Sequence, residues 1–344
     1  MKKIYYLFLA VVAVVCCVSC NNEWESEQYV QRAAFITQLN SSGVAPAYVR
    51  FNPGGTVRYE LPIVISGSTP NTQSRTIHVA VDRDTLGILN WERYGGRTEL
   101  YYRGLYEYPE YYSFPETVEI PAGESTAVLP IDFTLGGING TNPLDLTDKW
   151  ILPITILDDE SYNYESNPRK HYQKALLNIT PFNDYSGTYS GTQCKIYLNG
   201  NKDQAFTMTE HKAYVVDNKT LFVYAGLRDV EYLDRKNYKV FMEFTDEKID
   251  LEKKKLRIWS DNDDPVEGNA FKVGAEQAYY TTDWEYDVTK PYLKHVYITL
   301  FLSYTFEDYT TSPGVRLQYE VNGTLSMQRD LNTLIPDEDQ QIQW

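Results

Sequence analysis

The sequence has few of the residues that transition-metal and redox sites use. Its 344 residues include four cysteines and four histidines, and the histidines are scattered without the paired spacing of zinc ligands: His78, His171, His211 and His295. No P-loop, dinucleotide-binding glycine fingerprint or nucleophile-elbow motif occurs either. These patterns predict a protein without a cofactor and without a bound metal.

The apolar run near the start of the sequence is too short to cross a membrane. Residues 4–15 would span about 18 Å as a helix, at a rise of ~1.5 Å per residue, whereas the hydrocarbon core of a bilayer is ~30 Å thick. Lys2 and Lys3 precede this run, and Cys20 follows it after small or apolar residues. This order is typical of a cleaved export signal, so we expect residues 1–19 to be removed.

The residues before Cys20 resemble the lipobox of bacterial lipoproteins. The resemblance implies that a lipid on Cys20 anchors the mature chain to a membrane, and the acidic residues that follow indicate a tether over residues 20–30. An ordinary secretory signal that contains cysteines is the alternative. After cleavage and acylation only Cys194 remains, so no disulfide forms within the mature chain, and its strand-like surroundings favour a buried structural thiol.

Positive charge is also scarce. The chain has 32 Lys and Arg against 47 Asp and Glu, a formal net charge of −15, and loss of Lys2 and Lys3 with the signal makes it −17. Such a charge repels phosphate backbones, so we expect no nucleic-acid partner. Simple solubility of a surface-exposed protein is the favoured interpretation of the acidity.

Residues typical of strands and turns dominate the composition. The 30 tyrosines, with many Val, Ile and Thr, favour strands, and 20 glycines and 16 prolines supply turns. Apolar residues alternate over residues 76–81, and residues 117–120 and 128–133 flank a Pro-Ala-Gly-Glu turn. Residues 150–157 are apolar on both faces, with Pro153 indicating an edge strand or a bulge. The sequence therefore predicts an all-β protein that begins with a β-sandwich.

A turn-rich break at residues 180–184 indicates a domain boundary. We expect a first domain over residues 31–182, a second over residues 183–336, and a frayed tail at residues 337–344. The clearest strand of the second domain, residues 295–306, is partly apolar on both faces, as in a central strand or a barrel wall. The second domain is therefore predicted to be an antiparallel β-sandwich or a barrel-like domain.

Several stretches together resemble the two-domain lipoproteins of polysaccharide-utilisation loci in Bacteroidota-type bacteria. They are the lipobox with its acidic run, the segment Val79-Ala80-Val81-Asp82 with Leu86 and Asn90, and residues 120–123, 150–154 and 183–189. The resemblance implies an immunoglobulin-like N-terminal sandwich, as found ahead of some family 18 glycosidase domains, and an uncharacterised C-terminal β domain. It also implies a location at the outer membrane, facing the exterior, and it transfers no functional residue.

Two aromatic clusters are candidate glycan platforms, because sugar rings present C–H faces that stack on aromatic planes. The first lies in residues 91–112, predicted as a loop between strands, and the second in the turn-rich residues 279–292. The candidate glycan-binding residues are Trp91, Tyr101, Tyr102 and Tyr106 in the first cluster and Trp284 and Tyr286 in the second. Packing of these tyrosines against a sheet is the alternative.

The acidic residues form no recognisable catalytic motif. The D-x-x-D-x-D-x-E run of family 18 glycosidases is absent, and acids cluster in turns such as residues 158–160 and 261–264. The second of these turns offers oxygen ligands for calcium but lacks the spacing of an EF-hand, which favours a solvated loop.

We therefore expect a non-catalytic surface lipoprotein that binds an oligosaccharide or polysaccharide for uptake, beside an outer-membrane transporter complex. A structural or adhesion lipoprotein that binds a protein partner, and a glycosidase, are the alternatives.

Overall fold

The computed structural model describes residues 30–138 and 140–343. The predicted signal peptide, the lipidation site Cys20 and the tether up to residue 29 lie outside the described residues. Within them the chain is nearly all β, as predicted, with two sheets formed by residues 32–182 and one sheet formed by residues 187–343.

The N-terminal half consists of two facing sheets with a shared core. Its strands are β1 (Arg32–Phe35), β2 (Ala45–Arg50), β3 (Val57–Ser66), β4 (Arg75–Val81), β5 (Arg103–Gly104), β6 (Tyr112–Ser113), β7 (Thr117–Ile120), β8 (Thr126–Phe133), β9 (Trp150–Ile156), β10 (Glu165–Ser166) and β11 (Lys174–Phe182). One sheet has the order β10-β1-β3-β8-β6, and the other has the order β2-β11-β9-β4-β7 with β5 beside β9. Alternate residues such as Ile63 of β3 and Ile154 of β9 are fully buried in one apolar cluster, and this burial stabilises the pair of sheets.

The predicted strands on either side of the Pro-Ala-Gly-Glu turn are present but lie in different sheets. β7 pairs with β4, whereas β8 pairs with β3 and β6. The turn at residues 121–124 therefore carries the chain from one sheet to the other.

The interpretation of Pro153 as the mark of an edge strand or bulge is wrong. Its strand, β9, is central and pairs in regular register with β11 on one side and β4 on the other. The backbone N–H of Asp82 donates to the Pro153 carbonyl over 3.0 Å. In a strand, the N–H and C=O groups of one residue point to the same side. The side of Pro153 that lacks an N–H therefore faces β4 at the point where that strand ends, at Val81.

A helix, α1 (Arg83–Tyr94), replaces the start of the predicted aromatic loop. Asp82 is its N-cap: Oδ1 accepts from the backbone N–H groups of Asp84 and Thr85, both over 3.3 Å. Gly95 follows the last turn with a φ of 56°, which a glycine adopts without strain. One face of the helix is buried against the second sheet, and a short helix, α2 (Lys170–Gln173), precedes β11.

The C-terminal half is a closed antiparallel barrel. Its strands are β12 (Gly187–Leu198), β13 (Ala205–Thr207), β14 (Glu210–Val215), β15 (Thr220–Tyr224), β16 (Lys239–Lys248), β17 (Lys254–Trp259), β18 (Lys272–Val273), β19 (Tyr279–Tyr286), β20 (Leu293–Asp308), β21 (Leu317–Asn332) and β22 (Ile342–Gln343). Eight strands of the described chain follow one another around the wall, and β12 closes it by pairing with β21. A barrel was one of the two architectures predicted for this part of the chain, and residues 295–306 lie in its wall as expected.

Large side chains fill the barrel interior. Those with less than 2% exposure include the phenol rings of Tyr189, Tyr238, Tyr280 and Tyr304. Cys194 also lies there, and burial raises the pKa of its thiol to about 12, in agreement with a structural role. This interior is a packed core, as is usual for barrels of this strand number.

The link between the two halves is short and held in place. Asn183 Oδ1 accepts from the backbone N–H groups of Tyr185 and Ser186, both over 2.9 Å. Arg329 of β21 donates to the carbonyls of Asn183 and Asp184 over 3.0 and 3.1 Å, and to that of Ser186. The linker is therefore bonded to the barrel wall over its whole length.

The last described residues are also paired with the barrel. Where a frayed tail is expected, Ile342 is buried and lies opposite Leu331 of β21. Asp339 forms an ion pair with Arg50 of the N-terminal half. The end of the described chain therefore lies between the two halves.

Candidate functional site

The first predicted platform is divided between a helix and the core. Trp91 lies on α1, not in a loop, and 67% of its side chain is exposed. No ring contact joins it to another aromatic side chain of the described residues. It is therefore accessible but stands alone.

The tyrosines predicted to join Trp91 belong to the packing behind the helix. Tyr102 is 8% exposed in an apolar cluster, and its backbone exchanges two hydrogen bonds of 2.9 Å with the side chain of Asn90. Tyr101 and Tyr106 are half-buried against the same cluster, and the Tyr101 hydroxyl donates to the Gly95 carbonyl. The ring of Tyr102 is thus largely unavailable for stacking on a sugar.

The second predicted platform brings two exposed rings together. Trp284 and Tyr286 are 55% and 51% exposed, and their ring centroids lie 5.6 Å apart at an interplanar angle of 79°. Lys294 Nζ lies 4.6 Å from the centre of the Trp284 ring. The two rings form an open corner with a cation beside it.

The backbone that carries this pair is a strand, so the predicted turn-rich setting is wrong. Both residues lie in β19, which pairs with β20 up to Tyr286 but with β17 only at residues 279 and 280. Residues 281–286 therefore extend past β17 as an edge of the sheet, supported on one side by the long strands β20 and β21. Their strand geometry fixes Trp284 and Tyr286 on the same face, two residues apart.

A third site, which the sequence patterns did not indicate, is a cleft of about 470 Å³ between the two halves. This volume lies in the range of ~300–1,000 Å³ typical of small-molecule sites, which often occur between domains. Its lining includes Tyr48, Tyr102 and Lys149 of the N-terminal half and Lys212, Tyr214, Glu231, Gln328 and Arg329 of the barrel. These residues are separated by up to about 280 positions in the sequence, so no local motif marks them.

An ion-pair network crosses the interface beside this cleft. Asp148 accepts from Arg103 of its own half and from Lys236 of the barrel, both over 2.9 Å. Arg235, which is buried, donates to the Glu99 carbonyl over 2.7 Å. The two walls of the cleft are therefore held together by charged hydrogen bonds.

One carboxylate of the turn that offered ligands for calcium is bonded within the protein. Asp264 Oδ1 accepts from the backbone N–H groups of Val266 and Glu267 over 2.7 and 2.8 Å. Across residues 30–138 and 140–343, no three His, Cys, Asp or Glu side chains are grouped as metal ligands. A membrane-crossing helix is likewise not found in this described part of the chain.

Comparison with known families identifies both halves. A family profile described as a domain of unknown function, DUF4973, matches residues 24–160, and a second profile, described as a C-terminal domain, matches residues 173–326. No curated protein matches the chain.

Solved structures from Bacteroides share the whole architecture. A multidomain protein including DUF1735 from Bacteroides ovatus is 38% identical, with a TM-score of 0.76 over 91% of this chain and 100% of that one. This chain belongs to the same family. Another member, a protein of unknown function from Bacteroides ovatus, is 40% identical, with a TM-score of 0.76 over 90% of this chain and 95% of that one.

A third member of the family has a described role. An auxiliary nutrient binding protein from Bacteroides thetaiotaomicron is 38% identical, with a TM-score of 0.78 over 89% of this chain and 97% of that one. These relatives and the two family profiles fit a two-domain surface protein of Bacteroidota, the coarser part of the resemblance noted in the sequence.

Proposed function

We propose that this protein is a non-catalytic glycan-binding lipoprotein of the cell surface, which captures oligosaccharides for uptake. The observation that carries the proposal is the exposed corner formed by Trp284 and Tyr286. Rings held at about a right angle offer one face for stacking and one edge for a lateral contact with the same sugar ring. The family member described as nutrient binding supports a binding role for the fold.

The geometry favours Trp284 over Trp91 as the centre of the platform. Both indoles are exposed, but only Trp284 has a second exposed ring and a lysine beside it. Trp91 instead shares its segment with tyrosines that pack into the core. The pair of tryptophans therefore supplies a test variant and a matched control.

The test is glycan-array screening of the full-length protein in detergent, followed by titration of the best ligand. We expect Trp284→Ala to weaken binding by about 1–3 kcal/mol, the range for loss of an aromatic anchor, and Trp91→Ala to leave the affinity unchanged. Both variants should keep the wild-type melting temperature, since each indole is mostly exposed. Absence of binding to any glycan, or equal losses in the two variants, would contradict the proposal.

The lipid anchor is part of the same proposal and has its own test. Cys20 follows the export signal at the position where lipoproteins are acylated. We expect Cys20→Ser to move the protein from the membrane fraction to the soluble envelope fraction, while Cys194→Ser leaves it membrane-bound. Protease accessibility on intact cells then distinguishes the exterior face from the periplasmic face.

A protein partner is the second candidate function, and one loop favours it. Leu227, Tyr232 and Leu233 are 48%, 46% and 52% exposed in the connection between β15 and β16. Clustered exposed apolar side chains often mark protein contacts. An outer-membrane transporter that is recovered with the wild-type protein but not with Leu233→Asp would establish this role.

A further inference from the structure

The inter-domain cleft contains cations that lack carboxylate partners. Lys149 Nζ lies 3.2 Å from the Tyr94 hydroxyl, and 4.7 and 5.0 Å from the ring centres of Tyr94 and Tyr102. Lys212 Nζ lies 5.3 Å from the ring centre of Tyr214. Neither lysine forms an ion pair with any carboxylate of the described residues.

The carboxylates near the cleft do not balance this charge. Asp148 is already shared by two cations, Arg103 and Lys236. The remaining acid of the lining is Glu231, which acts on Lys149 through space and is exposed. The lining thus holds two acids, one of them already paired with two cations, against Lys149, Lys212 and Arg329, in a chain whose overall charge is −15.

Two arginines add positive potential around Lys149. Arg93 and Arg235 both lower its pKa electrostatically, although burial is the larger cause and brings that pKa to about 8. Arg235 donates to the carbonyls of Tyr232 and Glu99, which leave its charge in place. A site of this kind attracts anions, and the phenol rings of Tyr94 and Tyr102 lie beside Lys149.

We infer that the inter-domain cleft is a second binding site, which takes an oligosaccharide with an acidic group held by the Lys149 and Lys212 ammonium groups. The anionic part of this inference rests on the cleft alone, and the sugar part rests on the proposed function. The tyrosines of the lining, Tyr48 and Tyr214 in particular, supply half-buried rings for the sugar. The acidic group is a carboxylate or a sulfate, since an ammonium group pairs with either.

The test compares a charged ligand with its neutral form. Trigalacturonate and its methyl ester share one sugar chain, and the ester replaces each carboxylate with a neutral –COOCH₃ group; a sulfated disaccharide provides the other anion. We expect the full-length protein to bind one of the two acidic sugars at least about tenfold more tightly than the ester, a difference of ~1.4 kcal/mol. Equal affinity for trigalacturonate and its ester, together with no binding of the sulfated sugar, would overturn the inference.

Variants then place the acidic sugar in the cleft. We expect Lys212→Met and Lys149→Met each to remove most of the preference for the acidic ligand. Lys255→Met is the control, because this lysine pairs with Glu247 over 2.8 Å outside the cleft. Lys212 is exposed, so its variant stays informative if Lys149→Met is poorly folded. An unchanged preference in a folded Lys212→Met protein would contradict the assignment.

The pH dependence and the Trp284 variant complete the experiment. Binding of the acidic sugar should weaken about tenfold between pH 7 and pH 9 as Lys149 loses its proton. Its neighbours include Glu231, Asp148, Arg93, Arg235, Tyr94 and Tyr102, and burial also lowers the pKa of Lys212, which acts in the same direction. Trp284→Ala should leave this binding intact. If Trp284-dependent binding of neutral glycans persists while the acidic preference is absent, the cleft site fails and the proposed function stands.

Discussion

Individual buried residues make the barrel sensitive to acid. His211 is 7% exposed at one end of the barrel, and burial lowers the pKa of its imidazole to about 4. The unfolded chain protonates this histidine near its ordinary pKa of about 6.5, so the unfolded state binds more protons between those two values. Stability contributed by neutral His211 is therefore present above pH ~6.5 and is lost as the pH falls toward 4.

This sign gives a measurable prediction. Between pH 7 and pH 5 we expect the free energy of unfolding to fall by about 2 kcal/mol more in the wild type than in His211→Gln, which cannot titrate. Urea unfolding at the two pH values gives both numbers. The exposed His171 provides the control variant, His171→Gln, which should lose as much as the wild type. Equal losses in the wild type and His211→Gln would show that this histidine does not set the acid sensitivity.

Among the secondary-structure elements, the closure of the barrel depends on one glycine. Gly323 of β21 has a φ of +140° and lies opposite Cys194 of β12. A Cβ at this position would come within 2.2 Å of the Gln193 carbonyl oxygen. Only a residue without a side chain allows the two strands to approach at this point.

We therefore expect Gly323→Ala to destabilise the protein by about 3 kcal/mol, through backbone strain and overpacking. Gly87→Ala is a matched control, since Gly87 lies within α1 with no heavy atom within 4 Å of an added Cβ. That change should stabilise the protein by about 0.5–1 kcal/mol, because alanine favours a helix interior. Denaturant midpoints measure both, and a Gly323→Ala protein as stable as the wild type would refute the argument.

Local patterns predicted the strands better than they predicted the helix. Period-two alternation is a short-range property, so residues 76–81 and 295–306 indicated β4 and the barrel wall correctly. The helix α1 was hidden by its aromatic residues, although Asp82 before it and Gly95 after it are the capping residues that mark helix ends. The interpretation of Pro153 as an edge or bulge residue was wrong because a proline fits this central strand at the point where β4 ends. The end of β4 is set by tertiary structure, which the local sequence does not show.

The candidate sites show the same limit. Trp284 and Tyr286 are two residues apart, so sequence sufficed to propose them together, and both side chains are exposed. The cleft instead combines Lys149 with Lys212 from the other half of the chain. Such a site exists only once the two halves are packed, and no spacing rule predicts it.

The whole molecule depends on the linker that joins its halves. Arg329 is 8% exposed and donates to three carbonyls of the linker, those of Asn183, Asp184 and Ser186. Removal of its guanidinium takes away the donor to the carbonyl of the buried residue Ser186 and weakens the bonding of the linker at Asn183 and Asp184, which costs about 1–3 kcal/mol. We expect Arg329→Met to lower the stability by about this amount and to loosen the coupling between the halves.

Calorimetry distinguishes that coupling from simple destabilisation. If the linker bonds make the halves unfold together, the wild type should show one transition and Arg329→Met two. Arg257→Met is the control, because Arg257 pairs with Glu243 over 3.1 Å on the barrel surface and contributes little there. A single, merely shifted transition in Arg329→Met would mean that other interface contacts couple the halves.

The tyrosine-filled interior of the barrel also determines how the protein responds to alkali. Burial raises the pKa of the Tyr189, Tyr280 and Tyr304 phenols above the ordinary value of about 10. Above that pH the unfolded chain releases protons that the folded barrel retains, so each further step in pH favours unfolding. The ultraviolet absorbance of these phenolates will therefore rise in the same step in which the β-sheet circular dichroism is lost, and an alkaline titration monitors barrel opening without an added probe.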